Sequence, residues 1–241
     1  MSAPAPFQRV WDAGPVAVDY LPGTGRDLVI SFASVGHDPH QRPSPEFVGT
    51  AWDQGARHAL FVSDESRSWA NDPGFEAALS GAVGWVTSRA EIERIAAIGL
   101  SMGAFSALVA AHALALDLVL AFGPQYSVLP EHAPEETRWA EWCARLPAPR
   151  WPVAPAPCAG HAYLFHGAKD DWAQAARFAP HPRVDQVIFT DQSHSGLVPH
   201  LKARGALAGL LEAGLAGDRR RLLRIAGSAG GITRKRFEAA Q

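Results

Sequence analysis

The sequence is poor in sulfur, tyrosine and surplus charge, with two cysteines, two methionines, three tyrosines and a formal net charge of −2 across 241 residues. Two cysteines, Cys143 and Cys158, cannot build a disulfide framework. Neither their spacing nor their neighbours point to a metal site, so no metal is expected, and the two are either free thiols or one bridge. The near balance of charge excludes a general nucleic-acid binder. No apolar run reaches the roughly 18 residues that a membrane-spanning helix needs, so none is expected. The opening Met1-Ser2-Ala3-Pro4-Ala5-Pro6 carries neither a basic segment nor an apolar one. No secretory leader is therefore expected, and the cytoplasm is the default compartment. The chain is long enough for one sizeable domain spanning 1–241, with ample apolar material for a core (47% hydrophobic).

Read in order, strands and helices alternate. Val16–Tyr20 reads as a first, edge strand. Asp27–Phe32 is a continuous apolar run, as expected of a strand buried on both faces of a parallel sheet. Further strands follow at Arg57–Asp64, Ile95–Leu100, Leu116–Gly123, Ala162–His166 and Val184–Thr190. Gly74–Arg89 carries a helical stripe of Phe75, Leu79, Ala82, Val83 and Val86, with Asp72 placed as its N-cap and Pro73 at the first helical position. The pattern implies an α/β fold: a mostly parallel sheet with helices on both faces. Residues 124–160 break the rhythm with eight prolines and three of the eight tryptophans. They form an insertion over the carboxyl ends of the strands, with one amphipathic helix expected at Glu135–Leu146. Residues 218–241 hold seven Arg or Lys against Asp218 and Glu238, and read as a solvated helix with a frayed end.

The chemistry concentrates at Ile95–Leu108. A short apolar strand meets the turn Gly99-Leu100-Ser101-Met102-Gly103 and then a small-residue helix. A serine on a tight strand-to-helix turn projects its Oγ above the sheet, and flanking glycines avoid collision with strand and helix. The helix also aims free N–H groups at the site, so Met102 N–H is a candidate oxyanion donor. The loop Ala33–Asp38 after the Asp27–Phe32 strand is the expected source of a second donor, assigned to Ala33. Later, His166-Gly167-Ala168-Lys169-Asp170 ends one strand, and His194 lies in a polar loop after the last. Ser101, Asp170 and His194 are thus the candidate nucleophile, acid and base, in chain order at the ends of three strands. Asp171 is the rival to Asp170, read as the N-cap of a helix running to Phe178. His166 reads as a structural residue of the acid turn, His37 as an outside candidate for substrate binding, and Asp64 as one for polar contacts.

From Val16 to about Leu211 these motifs resemble a small serine hydrolase of the α/β-hydrolase fold. Within that superfamily, Ser31–Gly36 and Ala121–Ser127 are similar to bacterial members associated with surface-glycan biosynthesis. The resemblance implies acyl transfer through a covalent serine, with no cofactor. A carboxylesterase acting on a small-molecule or glycan acyl ester is the first expectation. An O-acyltransferase or glycan deacylase is the alternative, and a protein that binds on this fold without turnover is the third. The polar character of the insertion favours a short acyl chain.

Overall fold

The computed structural model describes residues 7–146 and 149–240. The opening Met1–Pro6, read above as lacking a leader, and Pro147 of the insertion lie outside them. The strands are β1 (Gln8–Ala13), β2 (Val16–Leu21), β3 (Asp27–Phe32), β4 (His58–Asp64), β5 (Arg94–Leu100), β6 (Leu118–Phe122), β7 (His161–Gly167), β8 (Val184–Phe189) and β9 (Ile232–Thr233). The helices are α1 (Val48–Trp52), α2 (Phe75–Thr87), α3 (Met102–Ala113), α4 (Ala140–Cys143), α5 (Ala168–Arg177), α6 (His194–Ala203), α7 (Ala206–Leu215), α8 (Arg219–Ser228) and α9 (Arg234–Glu238).

Among the described residues the strands form one sheet in the order β1-β2-β4-β3-β5-β6-β7-β8-β9. Pairing from β4 through β3 to β8 is parallel, and the strands at either end join antiparallel. The central strands are apolar on both faces because both faces are covered. One face packs on α2 and α3, around Leu28, Ile30, Ala97 and Val119. The other packs on α1, α6, α7 and α8, around Val29, Ile98, Leu120 and Phe165. Helix α3 is buried along Met102–Ala111, and its alanines and glycine let it lie close against the sheet. Register aligns Phe32 with Gly99, Leu100 with Phe122, and Gly167 with Phe189, so the loops after these strands open along one edge. That carboxyl edge is where open α/β sheets place their sites.

Five local expectations are corrected. Val16–Tyr20 is not the edge, because β1 pairs outside it in a hairpin tied by Arg9 to Asp19 at 2.7 Å. β1 half-buries only Val10 and Trp11, so its sequence carries little strand signal. Asp72 does not cap α2, which starts at Phe75; its Oδ1 accepts from the N–H of Gly74, the residue just before the helix. The Glu135–Leu146 helix shrinks to Ala140–Cys143, because Glu135, Glu136 and Arg138 turn to ion pairs instead. Helix α5 starts at Ala168, which moves Asp171 from a cap into the first turn. The basic tail is folded: Asp218 caps α8, Leu222 and Ala226 are buried, and β9 extends the sheet. Arg234 locks it there by donating to Phe178 O at 2.6 Å and Gln186 Oε1 at 2.7 Å. Cys143 and Cys158 are free thiols. No helix among the described residues is long and apolar enough to cross a membrane.

His166, within β7, is fully buried. Its Nε2 bonds Pro124 O at 3.2 Å, and its Nδ1 has no partner among the described residues. Burial pushes its pKa from the ordinary 6.5 down to about 4. In the unfolded chain the ring protonates first, so stability is lost as pH falls from 6.5 towards 4 and is fully present above 6.5. At about 1.4 kcal/mol per pH unit, this window is worth about 3 kcal/mol. Urea titrations across pH should therefore show a steep acid limb in this range, flattened by that amount in His166→Gln. An unchanged limb would mean the ring titrates normally.

Candidate active site

The site is built from strand ends. Ser101 sits between β5 and α3 with φ 57° and ψ −122°, a region that non-glycine residues rarely occupy. Its N–H donates to Phe122 O at 2.8 Å, and its carbonyl accepts from Ala104 and Phe105 N–H at 2.9 and 3.0 Å. The flanking glycines are demanded by backbone contact. A Cβ on Gly99 would stand 2.2 Å from Gly103 O, and one on Gly103 would stand 2.2 Å from Phe32 O. Helix α3 is therefore driven against the ends of β3 and β5, and Ser101 is the residue that turns the corner.

His194 opens α6 directly after β8. Its Nδ1 lies 2.7 Å from Asp171 Oδ2. A carboxylate only accepts, so Nδ1 carries the proton and Nε2 presents a lone pair. Asp170, the expected acid, is an exposed residue whose Oδ1 accepts from the backbone N–H of His194 at 2.6 Å. It holds the start of α6 rather than the ring. The assignment is corrected to Asp171, and the reason is the earlier start of α5: one residue along a helix turns the side chain by about 100°. That rotation sends Asp171 inward, with its side chain 2% exposed, and Asp170 outward.

Asp171 also meets the insertion. Arg138 Nη1 donates to its Oδ1 at 3.0 Å. Arg138 is held in turn by Glu136 through Nε at 2.9 Å and Nη2 at 2.5 Å, and Gln174 Nε2 donates to Glu136 at 3.2 Å. Burial alone would raise the Asp171 carboxyl. The hydrogen bond from His194 and the nearby charge of Arg138 hold it below its ordinary value.

The end of β6 links the serine turn to His194. Ser101 N–H bonds Phe122 O, and the next residue, Gly123, abuts the imidazole. A Cβ on Gly123 would stand 2.9 Å from His194 Nδ1 and 3.1 Å from Asp171 Oδ2. Ser101 Oγ itself accepts from Gln125 Nε2 at 2.8 Å, while Gln125 Oε1 accepts from Trp69 Nε1 at 3.2 Å. Trp139 of the insertion covers this corner, 6.1 Å from the Trp69 ring and 6.4 Å from the His194 ring. Its Nε1 is buried with no partner among the described residues.

Of the two expected oxyanion donors, one is corrected. Met102 N–H, in the first turn of α3, has no acceptor among the described residues. Ala33 N–H is spent on Val62 O at 2.9 Å, because the β3–β4 ladder runs one residue past the strand. Ser34 N–H is the first amide of that loop with no acceptor among the described residues. Asp64 is structural: it accepts from the N–H and hydroxyl groups of Ser66 and Ser68. His37 is exposed and bonds to none of these groups among the described residues. Gln125, Trp69 and Arg138 were not singled out from sequence. Gln125 had a usable signal, since it follows Gly123-Pro124 at a strand end as the other site residues do. Arg138 had none, lying in the irregular insertion.

Gly123 makes a direct test. In Gly123→Ala the new methyl meets the His194–Asp171 pair, and the residue takes on a positive-φ cost of about 1–2 kcal/mol. The low-field imidazole proton bonded to Asp171 should be present in the wild-type NMR spectrum and lost or shifted in the variant, with a drop in the melting temperature. An unperturbed proton would contradict the packing described.

No family model and no curated protein matches the sequence. Solved structures do match. The 2,6-dihydroxy-pseudo-oxynicotine hydrolase aligns at a TM-score of 0.62 and 19% identity, over 90% of this chain and 70% of that one. An esterase of Pyrococcus furiosus aligns at 0.58 and 16%, over 83% and 88%. The capsule O-acetyltransferase of Neisseria meningitidis serogroup A aligns at 0.53 and 10%, over 81% and 91%. These likenesses agree with the parallel sheet, its antiparallel opening hairpin and the serine turn after β5: the chain has the α/β-hydrolase fold.

Proposed function

We propose that the protein is a serine hydrolase of carboxylesterase type, working through Ser101, His194 and Asp171. The observation that carries this reading is the buried Asp171–His194 pair, 2.7 Å apart and abutting Gly123, whose neighbour Phe122 binds the N–H of a serine held at positive φ. His194 Nε2 takes the Ser101 proton as Oγ attacks the ester carbonyl. The tetrahedral oxyanion forms near the N–H groups of Met102 and Ser34 at the mouth of α3. As it collapses, the C–O bond of the ester breaks and His194 gives its proton to the departing alcohol. A water molecule, deprotonated by His194, then attacks the acyl-enzyme; the acyl C–Oγ bond breaks, His194 returns that proton to Oγ, and the acid is released with Ser101 restored. Asp171 keeps the imidazole in the Nδ1–H tautomer and stabilises the imidazolium at both stages.

An acyl acceptor other than water changes only the second half of this cycle. The shared fold of the capsule O-acetyltransferase supports carrying that alternative, in which a sugar hydroxyl takes the acyl group. A small-molecule or glycan acyl ester is the substrate class in either case.

The acid assignment is tested by two isosteric variants on a short p-nitrophenyl ester. Asp171→Asn removes the acceptor at Nδ1 and should lower kcat by about 10⁴, as in serine triads generally. Asp170→Asn keeps an acceptor for His194 N–H and should cost less than about tenfold, within the range of a lost or weakened surface hydrogen bond. The reverse ranking would return the acid to Asp170. Equal turnover in wild type and Ser101→Ala would overturn the whole reading.

A further inference from the structure

The mechanism above leaves one buried polar chain unused: Trp69, Gln125 and Ser101 in line. Gln125 is 1% exposed and Trp69 0%, so neither is a surface accident. The direction of the chain follows from elementary chemistry. An indole N–H can only donate, so the Gln125 atom facing it at 3.2 Å must be the amide oxygen. The amide nitrogen is thereby turned to Ser101 Oγ at 2.8 Å, and it must donate. The Ser101 hydroxyl receives that bond on a lone pair, which leaves its own proton free to be given away. Nε2 has a second N–H, which meets no acceptor among the described residues.

Position matters as much as polarity. Gln125 lies three residues beyond Phe122, whose carbonyl holds Ser101 N–H, so backbone and side chain of one loop grip both ends of the same serine. Ala33 N–H, the expected second donor, is committed to Val62 O, which leaves the amides of Met102 and Ser34 as the backbone donors of the site.

Resting on the serine-hydrolase reading, we propose that Gln125 is a catalytic residue. Its locked amide orients the Ser101 hydroxyl for donation to His194. It also supplies a side-chain N–H to the negative charge as that charge passes from Oγ to the carbonyl oxygen. Trp69 is the positioning residue that forbids the amide from flipping. Charge-directed donors preorganised in a dry site are worth far more in the transition state than in the resting enzyme. The effect should therefore fall on kcat rather than KM.

The test compares wild type with Gln125→Met and Gln125→Glu, both close in size to the residue they replace. Each is assayed for kcat and KM on a short p-nitrophenyl ester and for the rate of fluorophosphonate labelling mapped to Ser101. Gln125→Met should lose about 10²–10³ in kcat with KM within a few-fold, as for removal of one oxyanion donor, and label correspondingly slowly. Gln125→Glu should fall at least as far, because a carboxylate accepts the Ser101 proton in competition with His194. Melting temperatures identify any variant that is merely unfolded. Trp69→Phe, which frees the amide to flip, should show an intermediate loss. Wild-type kcat and labelling rate in folded Gln125→Met would overturn the proposal. A wild-type protein that takes no label at Ser101 would overturn the hydrolase reading itself, a distinct result.

Discussion

The structure turns on a collision that glycine avoids. Helix α3 begins so close to the ends of β3 and β5 that a Cβ at Gly99 or Gly103 would stand 2.2 Å from a backbone oxygen. Because the helix is driven that close, the chain between them can only turn through a positive φ, and Ser101 occupies it at 57°. Such a conformation costs of order 1–3 kcal/mol and persists only where surrounding contacts impose it. Here those contacts are a full sheet beneath, a buried helix behind, and the Phe122 carbonyl in front. The strain lifts Oγ above the sheet and leaves the first N–H groups of α3 unspent. The geometry of the serine turn and the stability of the fold are therefore two aspects of one packing decision.

Asp171 is governed by a second constraint, the burial of charge. A carboxylate that is 2% exposed is costly unless its lone pairs are occupied. Asp171 meets this by accepting from His194 on one oxygen and Arg138 on the other. Arg138 comes from the insertion and is itself compensated by Glu136. The insertion thus holds Asp171 through Arg138 and covers the same corner through Trp139. Acidification works against this arrangement at two places, the Asp171 cluster and the uncharged His166 behind it.

The fold was readable because its signals are local. Unbroken apolar strands such as Asp27–Phe32 need two covered faces, and a Gly-x-Ser-x-Gly turn between strand and helix has few other uses. Ser101 and His194 stood out as candidates for the same reason, each sitting at a strand end in a distinctive turn. Asp170 against Asp171 was not, since the choice depends on which residue starts α5, and spacing from Gly167 does not fix the helical phase. Ala33 failed because the β3–β4 ladder extends one residue further than the apolar run. Arg138 and Gln125 are long-range partners, 33 and 24 residues from the groups they serve, and pairings of that kind leave no periodic trace. The edge strands β1 and β9 were missed because half-exposed strands lack an apolar run, and β9 is only two residues long.

On the proposed mechanism an acyl group passes through Ser101 Oγ, whichever acceptor later removes it. Intact-mass spectrometry of protein acid-quenched during turnover of a short activated ester addresses this directly, with peptide mapping of the adduct. One added acyl group is expected on the Ser101 peptide, absent in Ser101→Ala and short-lived in wild type. Ester consumption with no acylated protein, or with the acyl group on another residue, would contradict it.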